Sequence, residues 1–87
     1  MATLYLPPQM RDLTGGDEAI EVPAGTLREV VARVDRRFPG FAARVISEGG
    51  VMPGLAFSID HSITSLGLHA RVSEESVVHI VPGVAGG

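Results

Sequence analysis

The chain has no cysteine, no tryptophan and no lysine, and its aromatic rings are three Phe and one Tyr in 87 residues. Each absence closes off a class of chemistry. Without Cys there are no disulfides, no thiolate metal sites and no cysteine nucleophile, so any sulfur handled here is not carried on a side chain. With so few rings the core must rest on Val, Leu, Ile and Ala, enough for a small sheet and one helix. No apolar run approaches the roughly 20 residues that span a bilayer, and no charged N-terminal segment precedes a long apolar one. A cytoplasmic protein without a membrane partner is the expectation. The net charge of −3, with acids and arginines interspersed, supplies no basic stripe and therefore no nucleic-acid surface.

What is present reads as one small globular domain, 45% hydrophobic and 20% charged. Ala2 to Leu6 alternates, with Ala2, Leu4 and Leu6 on one side and Thr3 and Tyr5 on the other, which predicts a strand. Pro7-Pro8 stops it, and after a Thr14-Gly15-Gly16-Asp17 turn a second strand over Glu18 to Pro23 turns Ile20 and Val22 inward. Thr26-Leu27-Arg28-Glu29 fits a capping box and opens a helix. Leu27, Val30, Val31, Val34 and Phe38 recur along one face, Glu29 and Arg33 form an i,i+4 pair, and Pro39-Gly40 ends the helix. Phe41 to Glu48 reads as a second short helix closed by Gly49-Gly50, and Leu55 to Asp60 as a third strand. Residues 61–71 are irregular or include a short strand. Ser73-Glu74-Glu75-Ser76 is an acidic turn, and Val77 to Val81 is a last strand, apolar except for His79.

That strand runs into Val81-Pro82-Gly83-Val84-Ala85-Gly86-Gly87. Two closing glycines have nothing to pack and lose the most freedom when ordered, so they do little for a fold. Lacking Cβ atoms, they can instead thread a narrow cleft and deliver the Gly87 carboxylate to a distant reaction centre. The expected organisation is a folded body over residues 1–82 and a flexible tail over 83–87; a frayed end is the plain alternative. The missing lysines bear on this. All seven basic residues are Arg, for which a coding bias is the plain account. The chemical account is that neutral amines attack an activated acyl group, and a chain without Lys exposes only its α-amino group to that reaction.

Three other signals carry no chemistry. His61, His69 and His79 lack zinc-site spacing, so no metal is expected. Gly15-Gly16 and Gly49-Gly50 precede no Lys-Ser/Thr pair and read as turns. Glu74 and Glu75 are adjacent in a solvated turn, without the burial that tunes an acid–base pair. No side chain is assigned a catalytic role.

The order β-β-α-β-(β)-β, the helix leading into Phe38-Pro39-Gly40, the apolar last strand and the Pro82-x-Val84-Ala85-Gly86-Gly87 terminus together resemble the ubiquitin-like sulfur carriers of the ThiS/MoaD family along the whole chain. Gly83 stands where many relatives carry Pro or Ala, and the 73–76 turn replaces a frequent Asp-Gly-Asp, which leaves the subfamily open. The resemblance implies an α+β, ubiquitin-like β-grasp fold: a mixed four- to five-stranded sheet with one main helix packed across one face. It implies a non-enzymatic carrier that binds no cofactor itself. A partner adenylating enzyme, related to ubiquitin-activating enzymes, would use ATP to adenylate Gly87, and a sulfur donor would leave a thiocarboxylate for a sulfur-accepting enzyme.

If Val78 and Ile80 face the core, then Val77, His79 and Val81 lie on the other face, beside Thr3 and Tyr5 if the first and last strands pair as in ubiquitin. That face would dock the partner while Gly83, Val84, Ala85 and Gly86 thread its cleft; the free chain would be a monomer. Two alternatives use the same tail. One is the small subunit of molybdopterin synthase, with the tail inserted into the large subunit, and the other is a protein modifier joined through Gly87 to lysines of other proteins. The receiving pathway is not written in these residues.

Overall fold

The computed structural model describes residues 1–83. The first strand, β1 (Ala2–Tyr5), pairs antiparallel with β2 (Ala19–Val22), Leu4 opposite Ile20. Leu6 is buried but lies outside the ladder, because Pro7 and Pro8 remove the next two donors. The connection winds through a 3-10 helix, Pro8–Thr14, that buries Met10 and ends at a left-handed Gly15. A two-residue strand, β3 (Gly25–Thr26), then leads into α1 (Leu27–Arg37).

The capping box forms as expected. Thr26 Oγ1 accepts from the Glu29 N–H at 3.2 Å, and Glu29 Oε1 accepts from the Thr26 N–H at 2.9 Å. Gly25, at φ 152°, makes room for this: a Cβ there would stand 2.8 Å from Glu29 Oε1. The expected Glu29–Arg33 ion pair is absent among the described residues. Glu29 has turned back to Thr26, and Arg33 Nη1 donates to the Ala24 carbonyl at 2.9 Å. Such use of arginine recurs, with Arg11, Arg28, Arg37 and Arg44 donating to the carbonyls of Leu6, Gly49, Glu21 and Gln9. Five of the seven arginines thus tie loops and strand ends to the body, a task suited to a rigid, many-donor guanidinium.

The second helix, α2 (Phe41–Val45), is shorter than the sequence suggests. Ile46 is already extended, and Ile46–Ser47 (β4) pairs with Gly50–Val51 (β5) across Glu48 and Gly49, both at positive φ. The glycine pair therefore serves a hairpin rather than a helix cap, since two successive left-handed residues match the twist of flanking strands. Next comes β6 (Leu55–Ile59); Asp60, expected within it, is instead the first turn residue before β7 (Ser62–Ile63). Residues 61–71 thus hold β7, a 3-10 turn over Gly67–His69 and the start of β8 (Arg71–Val72), which pairs with β3. The final strand, β9 (Val77–Pro82), runs one residue beyond the expected Val81.

The main sheet is mixed and five-stranded, in the order β2-β1-β9-β6-β7, with β1 and β9 parallel and the other pairs antiparallel. On one face Leu4, Val22, Phe57 and Val78 pack against Leu27, Val30, Val31 and Val34 of α1, with Phe41 and Val45 of α2 closing the core. Val and Leu at helical spacing meet period-two strand residues, and burial holds a helix whose own propensity is modest. This is the ubiquitin-like β-grasp arrangement that the resemblance implies.

Candidate docking face and tail root

Strand β9 carries the candidate site, and its register is fixed at its start by Asp60. The carboxylate of Asp60 accepts from the Val77 N–H at 2.9 Å and from the Ser76 hydroxyl at 3.1 Å, while the Asp60 N–H donates to the Val77 carbonyl at 2.8 Å. Ser76, nearly fully buried, also accepts from the Ser73 N–H at 3.0 Å, so the acidic turn is tied to the same carboxylate. A one-residue slip would carry every β9 side chain to the opposite face; these bonds prevent it.

With that register, Val78 and Ile80 are 0% and 4% exposed under α1, and Val77, His79 and Val81 lie on the open face. The parallel pairing sets Thr3 opposite Val77 and Tyr5 opposite His79. The Tyr5 and His79 rings stack, with centroids 4.8 Å apart and planes 11° from parallel. His61 completes a row, its ring 6.2 Å from that of His79. Sequence reasoning gave His61 no role; its place at the start of the irregular 61–71 stretch does not say what it faces. Both residues occupy left-handed backbone, at φ 51° and 72°, in a two-residue hairpin where Asn-Gly is the usual choice. Asp60 is held there by its bonds to β9, and His61 is carried with it to the open face.

The far end of β9 is built differently. Pairing with β1 stops at His79, whereas pairing with β6 continues through Ala56–Val81 and Leu55–Pro82. Ile80 to Pro82 are therefore held by one neighbour only. Pro82 then removes a donor as the ladder ends, and Gly83, exposed and at φ 74°, is no longer in extended conformation. Residues Val84, Ala85, Gly86 and Gly87, expected to be the reactive tail, lie outside the described residues. Among the described residues no three His, Asp or Glu side chains gather closely enough to hold a metal ion, and no helix is long and apolar enough to cross a membrane.

The profile of the ThiS family matches residues 4–87. No curated protein sequence matches the chain. Among solved structures, a chain of the Amycolatopsis orientalis BexX/CysO complex is 29% identical, with each chain covering all of the other and a TM-score of 0.92. Mycobacterium tuberculosis CysO is 22% identical, over 97% of this chain and all of that one, with a TM-score of 0.89. The small archaeal modifier protein 1 of Methanosarcina acetivorans is 15% identical over 99% and 95% of the two chains, with a TM-score of 0.80. At that level of identity the last two speak for the fold alone.

Proposed function

Since the chain belongs to the ThiS family of ubiquitin-like sulfur carriers, we propose that Gly87 is the group it carries sulfur on, and that the open sheet face docks the enzyme that charges it. The observation that carries this reading is that the family match runs through residue 87 and so includes the Gly86-Gly87 pair. The singly held end of β9, leading into that segment, supports it.

A carboxylate is a poor electrophile until one of its oxygens becomes a leaving group. In the adenylating partner, a Gly87 carboxylate oxygen attacks the α-phosphorus of ATP and pyrophosphate departs, leaving an acyl-adenylate. A hydrosulfide-level sulfur donor then attacks the carbonyl carbon, AMP leaves with the bonding pair, and the product is a Gly87 thiocarboxylate. The partner supplies the nucleotide-binding and metal chemistry; this chain contributes a body to grip and an arm to insert. Tyr5, Val77, His79 and Val81 form the grip, an apolar patch with imidazole and phenol groups at its centre, and Gly83 to Gly86 form the arm.

Intact-mass measurement after incubation with the adenylating enzyme, ATP and sulfide tests the reading. The expected product is heavier by the difference between one sulfur and one oxygen atom, and a chain lacking Gly86 and Gly87 gives none. An unchanged mass for the full chain overturns the carrier reading, and linkage to lysines of other proteins would replace it with the modifier role.

A further inference from the structure

At the end of the sheet where the tail begins, a groove of about 350 Å³ opens beside β6. Its walls include Val51, Met52, Leu55 and Ile63, its polar lining is Thr64 and Ser65, and no charged side chain lines it. Two of the four large apolar side chains exposed among the described residues belong to this stretch: Ile63, 57% exposed, lines the groove, and Leu66, 64% exposed, stands in sequence between the lining residues Ser65 and Gly67. Of the others, Met1 precedes β1 and Tyr5 belongs to the docking face.

The groove lies next to the tail root. Leu55 is the ladder partner of Pro82, and Ala56, also in the lining, is the partner of Val81. It is also continuous with the docking face, because Tyr5, His79, Ser58 and Ile63 are successive partners in one row across the sheet. Gly83 to Gly87 can span at most about 17 Å when fully extended. An enzyme that holds Gly87 in its active site must therefore bring its own surface over the residues flanking Pro82.

Resting on the carrier reading above, we propose that this groove is a second anchor for the same adenylating enzyme and takes one uncharged apolar side chain of that enzyme, such as Leu, Met or Phe. A concave, charge-free slot beside a polar and aromatic face is where a buried anchor contributes most to binding.

The test measures ATP–pyrophosphate exchange by the adenylating enzyme as the concentration of carrier is varied, using the wild-type chain and the separate variants Ile63→Asp and Leu66→Asp. Both positions are exposed, and Leu66 lies outside the sheet, so at least one variant keeps the fold, as circular dichroism and thermal melting verify. The expected result is a KM for the carrier raised by about tenfold or more with kcat unchanged, since a buried interface charge removes an anchor without touching the reacting atoms. Exchange with wild-type KM in both variants overturns the proposal and leaves the carrier reading standing. Absence of exchange with the wild-type chain overturns the carrier reading and this inference with it. A concentration-dependent dimer that Ile63→Asp abolishes assigns the groove to a second copy of the chain, and also overturns the proposal.

Discussion

The two faces of the sheet are made from the same strands and serve opposite ends. In β9 alone, Val78 and Ile80 are buried against α1, while Val77, His79 and Val81 stay half-covered on the other side. In β6, Phe57, paired with Ile80, is 2% exposed beneath the helix, and its neighbour Ala56 pairs with Val81 of the open face. One face has its partner within the chain and supplies stability; the other retains apolar area with no helix upon it. A domain this small can spare a face only because the first is packed densely, with α1, α2 and the 3-10 segments all directed to one side.

Substitutions on the two faces should separate these roles. The largest expected effect is on the closed side: Phe57→Ala costs about 3–5 kcal/mol of folding stability, read by urea or thermal unfolding, because it leaves a cavity where α1 meets the sheet. On the open side, Tyr5→Asp should weaken binding to the adenylating enzyme by about tenfold or more, measured by calorimetry. Its cost to stability should be about 1 kcal/mol, the loss of the stack on His79. If Tyr5→Asp instead unfolds the chain while binding tracks the folded fraction, the division between faces is broken.

The smallest effect concerns the helix cap on the closed side. The Thr26 N–H and hydroxyl beside Glu29 hold its carboxyl below the usual range, with Arg33 and Arg71 adding at longer reach. Glu29 therefore keeps its charge to lower pH in the folded chain than in the unfolded one. Its contribution is fully present above roughly pH 4.3, the unperturbed value, and is lost as pH falls through the depressed folded one. Glu29→Gln keeps the reach of the side chain but not its charge. Its melting temperature should lie slightly below that of the wild type at neutral pH, and the two should converge in acid. A gap that widens on acidification would contradict this.

The absence of lysine now has a structural side. A coding bias and protection of an activated terminus both fit the composition, but neither anticipates that five arginines hold backbone carbonyls. Arg33 and Arg37, on the exposed side of α1, donate to Ala24 and Glu21 and so tie the helix to the segment following β2 and to β2 itself, an edge strand of the sheet. A charged pattern on a helix suggests ion pairs along its own surface; the actual acceptors depended on which loops the fold brought alongside. The Glu29–Arg33 expectation failed for that reason.

Local chemistry was legible wherever the determinant lay within a few residues. The alternation of β1, β2 and β6, the apolar run of β9, the Thr26–Glu29 box, the heptad-like run from Leu27 to Val34 and the Pro82-Gly83 exit all follow from nearest-neighbour geometry and backbone sterics. So did the division of β9 into Val78 with Ile80 and Val77 with His79 and Val81, because a strand's period of two is a local property; which of the two sets is inward was settled by packing under α1. The hairpin at Glu48-Gly49 was missed because helix and strand propensities are nearly balanced there, and pairing of Ile46 with Val51 tipped the choice. What only tertiary structure decided is which residues distant in sequence came to share a surface: His61 beside His79 and Tyr5, Asp60 locking Val77, Leu55 flanking Pro82. Those adjacencies depend on strand order and register across the sheet, which are set by the free energy of the whole packed core, whereas the sequence pattern specifies only which side of each strand is to be buried.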